Sequence, residues 1–153
     1  AIRSGHQPKF VVICGAVETG KKNIADELEK RLFSAGCQAY YLGISNIVRG
    51  LDADTHSADA VEHVRRLGEL ARIMTDAGMI FITTISHVDD HDIGQLRLLN
   101  QPAEIIVVSV GEHAFGKFVP DVVLPSNPDV SAAVSRIIGV LREKRILEPD
   151  YNI

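Results

Sequence analysis

Short apolar runs alternate with longer stretches of helical periodicity, and this alternation is what most constrains the fold. The first run, Phe10–Cys14, is rich in β-branched residues and ends at Gly15, as expected of a strand buried on both faces. Further strands are predicted at residues 38–42, 79–85, 104–110 and 122–124. The predicted helices span residues 22–35, 57–77, 89–99 and 130–144, with Ser57 capping the second. This order predicts an α/β fold of three α/β/α layers around a mostly parallel five-stranded sheet.

The chain length allows one compact domain. Its 153 residues are 46% hydrophobic but only 5% aromatic, so the core should consist mainly of aliphatic side chains. We expect residues 1–9 to be a leader or linker, residues 10–147 the folded domain and residues 148–153 a tail.

Charge and hydropathy argue against two classes of partner. The formal net charge is -4, and the sequence contains no dense cluster of basic residues, so we expect no nucleic-acid binding. Each apolar run is far shorter than the roughly 20 residues that span a bilayer, and no signal peptide precedes Phe10, which predicts a cytoplasmic protein that does not bind membranes. Cys14 and Cys37 lack metal or redox spacing and are predicted to be buried thiols.

Ligands of parallel sheets bind beyond the carboxyl ends of the strands. The segments that begin at Gly15, Gly43, Ser86 and Gly111 should therefore share one edge of the sheet. We expect the binding or catalytic residues to lie at that edge.

The segment from Gly15 to Lys22 follows a strand and opens a helix, as the phosphate-loop pattern G-x-x-x-x-G-K-S/T requires. Gly15, Gly20 and Lys21 fit the pattern, but Lys22 replaces the hydroxyl that ligates magnesium. An ammonium repels a cation, and two unit charges about 4 Å apart interact by roughly 4 kcal/mol at an effective dielectric near 20. Alternatively, the charge of Lys22 replaces magnesium, so that the loop holds a metal-free nucleotide or another anion. The loop could also be an inherited turn that binds nothing.

A second departure from a typical phosphate loop is Glu18, whose carboxylate lies within the loop that should surround an anion. It could point outward into water.

The stretch from Ser57 to Gly78 is similar to S-x-x-D-R-x-E-N-I-R-R-x-x-E-x-A-x-x-x-x-D-A-G, a pattern of adenylylsulfate (APS) kinases. Ile85 and Ser86 resemble the start of the family's I-S-P-F/Y-R, and the likeness extends over residues 5–147. The resemblance implies a P-loop kinase fold. It also implies transfer of the ATP γ-phosphoryl group to the 3′-hydroxyl of APS, which makes PAPS, usually in a homodimer. Residues 5–8 resemble the segment that joins this kinase to a preceding unit, which implies a fused or associated ATP sulfurylase-type partner.

The resemblance assigns roles residue by residue. Lys21 is the candidate catalytic residue, ATP and magnesium are the implied cofactors, with magnesium binding weakened by Lys22, and no residue is assigned as a metal ligand. Candidate residues for the nucleotide are Gly15, Thr19, Gly20, Lys21 and Lys22, and those for APS or PAPS are Asn46, Arg65 and Ser86. An exposed helix face is the alternative interpretation of Arg65 and Arg66.

The sequence departs from the family pattern mainly at positions that serve phosphoryl transfer. Gly43 to Val48 stand where the family has D-G-D-N-x-R, so both acids and the arginine are missing, and only a short connection stands where the family has a lid. We therefore expect an impaired kinase that serves as a nucleotide- or PAPS-binding regulatory or structural module. The alternatives are an active APS kinase and a ligand-free scaffold for protein interactions.

Two further groups have two interpretations each. Residues 87–92 are dense in His and Asp, which is consistent with a metal site or, more simply, with the acidic N-terminus of a helix. Phe115 and Phe118 could pack on the domain or cover a dimer surface, and packing is the prediction.

Overall fold

A computed structural model describes residues 10–44, 58–101, 105–111 and 115–144. These ranges contain five strands and four helices in alternation. In chain order they are β1 (Phe10–Cys14), α1 (Lys21–Ser34), β2 (Ala39–Ile44), α2 (Ala58–Asp76), β3 (Ile80–Ile85), α3 (Asp90–Asn100), β4 (Ile105–Val110), β5 (Val122–Leu124) and α4 (Val130–Glu143). The predicted leader or linker at residues 1–9, the last three residues of the predicted domain and the predicted tail at residues 148–153 lie outside the described residues.

The five strands form one sheet in the order β2-β3-β1-β4-β5, and every pair of neighbours is parallel. The predicted five-stranded parallel sheet is therefore confirmed. Val12 at the centre of β1 stands beside Thr83 of β3 and Val107 of β4, so β1 is flanked on both edges. Its carboxyl end consequently opens at the middle of the sheet, where the chain continues into Gly15.

Helices cover both faces of the sheet, which gives the three predicted layers. On one face, α1 and α4 bury residues such as Leu28 and Ile137 against β1 and β4. On the other, α2 and α3 bury residues such as Leu67 and Leu96 against Phe81. Each fully buried aliphatic side chain contributes about 1.5–3 kcal/mol relative to exposure, so two apolar layers fix the helices on the sheet. Cys14 and Cys37 are both buried, as predicted.

Most of the predicted boundaries hold within two residues. The largest difference is at β2, which was predicted to end at Leu42 but continues through Gly43 and Ile44 because these residues pair with Thr84 and Ile85 of β3. Helix α1 begins at Lys21 rather than at residue 22 because Gly20 already provides the left-handed residue at its N-cap. No helix within the described ranges is both long and apolar enough to cross a bilayer.

Candidate anion-binding site

A cavity of about 600 Å³ lies at the carboxyl edge of the sheet, between the loop after β1 and the ends of β2 and β3. Four of the residues predicted for the site border it: Gly20, Lys21, Lys22 and Ser86. Gly15 and Thr19 belong to the same loop without lining the cavity. The cavity is lined by Val17, Glu18, Gly20, Lys21, Lys22, Asn23, Tyr41, Gly43, Thr84 and Ser86.

The loop after β1 requires glycine at both ends. Gly15 has φ +155°, and a Cβ atom there would collide with the carbonyl oxygen of Val110. Gly20 has φ +92° and is the N-cap of α1, without any side-chain cap. Between them, Glu18 also adopts a left-handed conformation, with φ +63°, and its side chain is exposed. The loop therefore turns tightly onto the first turn of α1, where unsatisfied N–H groups favour an anion.

Lys21 extends back across this loop. Its Nζ donates to the carbonyl oxygen of Ala16 at 2.7 Å, and the residue is only 7% exposed. Burial lowers the pKa of Lys21, and the nearby Cys14 opposes that shift in part. Thr19, which is also buried, donates its hydroxyl to the same carbonyl oxygen at 2.9 Å. A desolvated ammonium inside a loop rich in N–H groups is suited to hold a phosphate or sulfate oxygen.

Lys22 points into solvent at the rim of the cavity. Its side chain is 76% exposed, and its Nζ lies 2.9 Å from Oδ2 of Asp26, four residues along α1. This hydrogen bond raises the pKa of Lys22. Residue 22 thus presents a charged donor where the phosphate-loop pattern has a metal-ligating hydroxyl.

The wall opposite the loop is formed by hydroxyl groups. Tyr41 Oη and Thr84 Oγ1 lie 2.9 Å apart. Ser86 is 3% exposed, and its Oγ has no hydrogen-bond partner within the part of the chain that the structure describes. A buried hydroxyl without a partner is costly unless a ligand or water completes its hydrogen bonds, so Ser86 is a candidate ligand contact.

Sequence reasoning missed Tyr41 and Thr84 as cavity residues. Tyr41 stands two positions before Gly43 on β2, and Thr84 stands two positions before Ser86, which directly follows β3. The two-residue period of a strand therefore places the members of each pair on one face. That two-residue period is the sequence signal that could have identified Tyr41 and Thr84 as cavity residues.

Arg65, predicted to contact the substrate, does not line the cavity. Its guanidinium donates to Glu62 at 2.6 Å and to Glu69 at 2.7 Å on the exposed face of α2, and Arg66 also donates to Glu62. The Arg65 guanidinium lowers the pKa of Glu62 to about 2. The helix-face interpretation therefore describes Arg65 and Arg66 in this structure. Asn46, the remaining predicted substrate residue, lies outside the described residues.

The acidic segment after β3 begins a helix. Asp89 is the N-cap of α3 and forms a capping box with Asp92, each side chain accepting from the other residue's backbone N–H. The helix N-terminus interpretation is thus confirmed. No group of three or more His, Cys, Asp or Glu side chains within the described ranges is arranged to hold a metal ion.

The connection between β4 and β5 is attached to α3. The backbone N–H of Lys117 donates to Asp90 Oδ2 at 2.9 Å, and the guanidinium carbon of Arg97 lies 5.5 Å from the ring centre of Phe118. Phe115 and Phe118 contact each other edge to face and pack on the core shared by α2 and α3, as predicted. The described part of this connection is therefore held against the domain.

The described lining residues suit phosphate better than magnesium. The glycine positions and Lys21 form a cradle for phosphate oxygens. Magnesium is bound in proteins mainly by one or two carboxylates together with waters and substrate phosphates, whereas Glu18 is the only carboxylate among the described lining residues and position 22 is a lysine. Among the residues that the structure describes, those at the cavity fit the nucleotide phosphates better than the metal.

Comparisons with known proteins show what this chain is similar to. The family model described as adenylylsulphate kinase matches residues 7–110. Adenylyl-sulfate kinase of Geotalea daltonii is 38% identical over 110 residues, which cover 71% of this chain and 54% of that protein. The bifunctional enzyme NodQ of a Rhizobium species is 42% identical over 82 residues, which cover 52% of this chain and 13% of the enzyme.

Among solved structures, the APS kinase of Mycobacterium tuberculosis in complex with AMPPNP and APS superposes with a TM-score of 0.71. The match covers 89% of this chain and 98% of that chain, at 20% identity, and so supports the fold. The chain spans about half the length of the curated relatives it matches.

Proposed function

Because this chain belongs to the adenylylsulfate kinase family, we propose that it is a nucleotide-binding kinase-like domain with impaired phosphoryl transfer. In this proposal the phosphate loop binds ATP, ADP or PAPS through their phosphates without requiring magnesium. The domain then serves sulfate activation in the cytoplasm as a regulatory or structural module. Retention of the phosphate cradle alongside loss of the metal-binding hydroxyl supports this division between binding and transfer.

The contact between Lys21 and the loop carries the proposal. The Nζ of Lys21 is already desolvated and lies within 2.7 Å of the Ala16 carbonyl oxygen, so its charge is held where a phosphate enters. A phosphate oxygen is a stronger acceptor than a neutral carbonyl, because charge-assisted hydrogen bonds are shorter and stronger. Binding therefore exchanges one partner of Lys21 for a better one without moving the backbone of α1.

Transfer requires more than this cradle. Phosphoryl transfer depends on a metal that neutralises charge and on a group that orients the attacking hydroxyl. Lys22 stands in place of the metal-ligating hydroxyl, and the wall formed by Tyr41, Thr84 and Ser86 presents hydroxyls rather than carboxylates. Neutral hydroxyls can hydrogen-bond a bound nucleotide but are poor bases near neutral pH. This combination supports binding over turnover.

The second candidate is an active APS kinase. Lys21 and Ser86 border the same cavity, as a kinase would need if Lys21 stabilised the transferred group and Ser86 positioned APS. Arg65 could join them only by releasing Glu62 and Glu69, its present partners. The third candidate, a scaffold without ligands, predicts that the cavity binds no nucleotide.

The family to which the chain belongs also suggests partners, which we propose here. A homodimer is the usual state that the resemblance implies. The similarity to a bifunctional enzyme supports association with a second unit, for which an ATP sulfurylase-type protein is proposed.

Calorimetric titration with ATP, ADP, APS and PAPS, each with and without magnesium, tests the proposal. We expect binding of at least one nucleotide in the presence of EDTA and little gain on adding magnesium. Lys21→Met should abolish that binding, because it retains the apolar stem but removes the charge. Lys30→Met, on the exposed side of the same helix, is the matched control and should bind as the unmodified chain does. Magnesium-dependent PAPS formation would favour the active kinase, and absence of binding by all four compounds would favour the scaffold.

A further inference from the structure

The loop between β5 and α4 touches the phosphate loop through Asn127. Its backbone N–H donates to the carbonyl oxygen of Thr19 at 2.9 Å, and its side-chain Nδ2 donates to the carbonyl oxygen of Glu18 at 3.4 Å. Asn127 adopts a left-handed conformation with φ +48°, which asparagine tolerates better than most residues. Its Oδ1 also faces Gly20, at 3.4 Å from where a Cβ atom would stand.

These two bonds act on the peptide groups that border the anion. When a loop binds an anion, its N–H groups must point inward and its carbonyl oxygens must not. Asn127 binds the carbonyls of Glu18 and Thr19, while Thr19 Oγ1 and Lys21 Nζ both bind that of Ala16. Three carbonyl oxygens of the loop thus have donors supplied by the protein, which weakens their repulsion of a phosphate. The hydroxyl of Thr19 still donates to Ala16 when Lys21 turns to the phosphate.

Asn127 is itself held in place. Gly111, directly after β4, donates its N–H to the carbonyl oxygen of Leu124 at 2.8 Å, which ties the start of the β5–α4 loop to the sheet. Asp129 caps α4 by accepting from the N–H of Ala132 at 3.3 Å, which fixes the other end. The contact therefore connects the phosphate loop to a braced segment rather than to a free one.

We propose that Asn127 is a positioning residue that keeps the phosphate loop in its anion-binding conformation through the carbonyls of Glu18 and Thr19. This inference rests on the proposed function in that it concerns the same cradle. Asn127 does not line the cavity, so its proposed action is through the loop.

Two substitutions at Asn127 separate the contribution of its side chain from that of its backbone N–H. Asn127→Gly accommodates the left-handed backbone and keeps the N–H bond to Thr19, but it removes the side-chain donor to Glu18. Asn127→Asp keeps the shape of the side chain and replaces the donor by a carboxylate that repels the Glu18 carbonyl. Gln38→Glu adds the same charge at an exposed position before β2, at the opposite edge of the sheet, and is the charge control.

The experiment combines calorimetry with inorganic pyrophosphate in EDTA and NMR of the free protein. Asn127→Gly should weaken pyrophosphate binding about two- to tenfold, as loss of one hydrogen bond does, and Asn127→Asp should weaken it more. The amide signals of Thr19 and Gly20 should shift in both variants without ligand, and Gln38→Glu should change neither measurement.

Unchanged affinity with unchanged loop amides would overturn the inference, as would a lower melting temperature with unchanged affinity of the folded protein. If the unmodified chain binds no pyrophosphate, the proposed function fails, and the amide signals alone decide the role of Asn127. If Asn127→Gly does not fold, Asn127→Asp decides by the same two measurements.

Discussion

The ammonium of Lys22 lies 2.9 Å from the carboxylate of Asp26, one turn further along α1, and both side chains are largely exposed. Position 22 therefore carries an ion pair where the phosphate-loop pattern carries a hydroxyl. An ion pair this exposed to solvent contributes little to stability, so Lys22 is not needed for folding. Its effect should instead be seen in how the cavity responds to a divalent cation.

Replacing Lys22 should make nucleotide binding sensitive to magnesium. Lys22→Ser removes the repelling charge and supplies a hydroxyl, whereas Lys22→Ala removes the charge alone. We expect magnesium to raise the ADP affinity of Lys22→Ser at least tenfold, that of Lys22→Ala less, and that of the unmodified chain little, as measured by calorimetry. An unmodified chain that gains as much from magnesium as Lys22→Ser would contradict this role.

Anion affinity should fall at alkaline pH because of Lys21. Burial lowers its pKa below 10.5 in the free protein, whereas a bound anion favours the charged form and raises the pKa again. Binding therefore takes up a proton between those two pKa values. Affinity is highest below the lowered pKa of the free protein and declines as pH rises above it.

Titrations of pyrophosphate in buffers of different ionisation enthalpy should reveal that proton uptake. Lys30→Met should show the same pH profile as the unmodified chain. An affinity independent of pH up to 10.5 would show that Lys21 does not hold the anion.

Gly43 and Tyr41 should be energetically coupled. A Cβ atom at Gly43 would stand 2.6 Å from Tyr41 Oη and 3.2 Å from Thr84 Oγ1, so the tyrosine hydroxyl occupies the space of a side chain at residue 43. Gly43→Ala should lower the free energy of unfolding, and less so in a Tyr41→Phe background. Urea unfolding of the four proteins should give a coupling of about 0.5–3 kcal/mol. Strict additivity would mean that the two side chains do not compete for this space.

The phosphate loop was predictable because its signals are local. Gly15, Gly20 and Lys21 lie within one short segment, and the strand before it and helix after it follow from hydrophobic periodicity. The acidic N-terminus of α3 was predictable for the same reason, since a capping box spans only four residues.

Contacts between distant segments were not predictable in this way. Tyr41 and Thr84 are 43 positions apart, and Asn127 is 109 positions from Glu18, so only the packed sheet brings them together. At Arg65 a local signal competes with the resemblance. Similarity assigned it to substrate, although Glu62 and Glu69 stand at helical spacing on the same face and bind it in the structure.

Asp90 should stabilise the connection between β4 and β5. Asp90→Ala removes the acceptor of the Lys117 N–H and a negative charge from the first turn of α3. We expect the free energy of unfolding to fall by about 1–2 kcal/mol and the Lys117 amide to exchange faster with solvent.

The control for the Asp90→Ala substitution is Asp76→Ala. Asp76 is 74% exposed, and its partner Arg72 is 3.9 Å away, so this change should leave stability nearly unaltered. Unaltered exchange at Lys117 in Asp90→Ala would show that the hydrogen bond to Asp90 does not hold the connection in place.

The steady-state rate of PAPS formation from ATP and APS with magnesium tests the central claim most directly. A domain that binds nucleotide without the metal-ligating hydroxyl should form PAPS far more slowly than ordinary kinases do, even when both substrates are saturating. Turnover at roughly 1–100 per second, the ordinary range of kinases, would contradict the account.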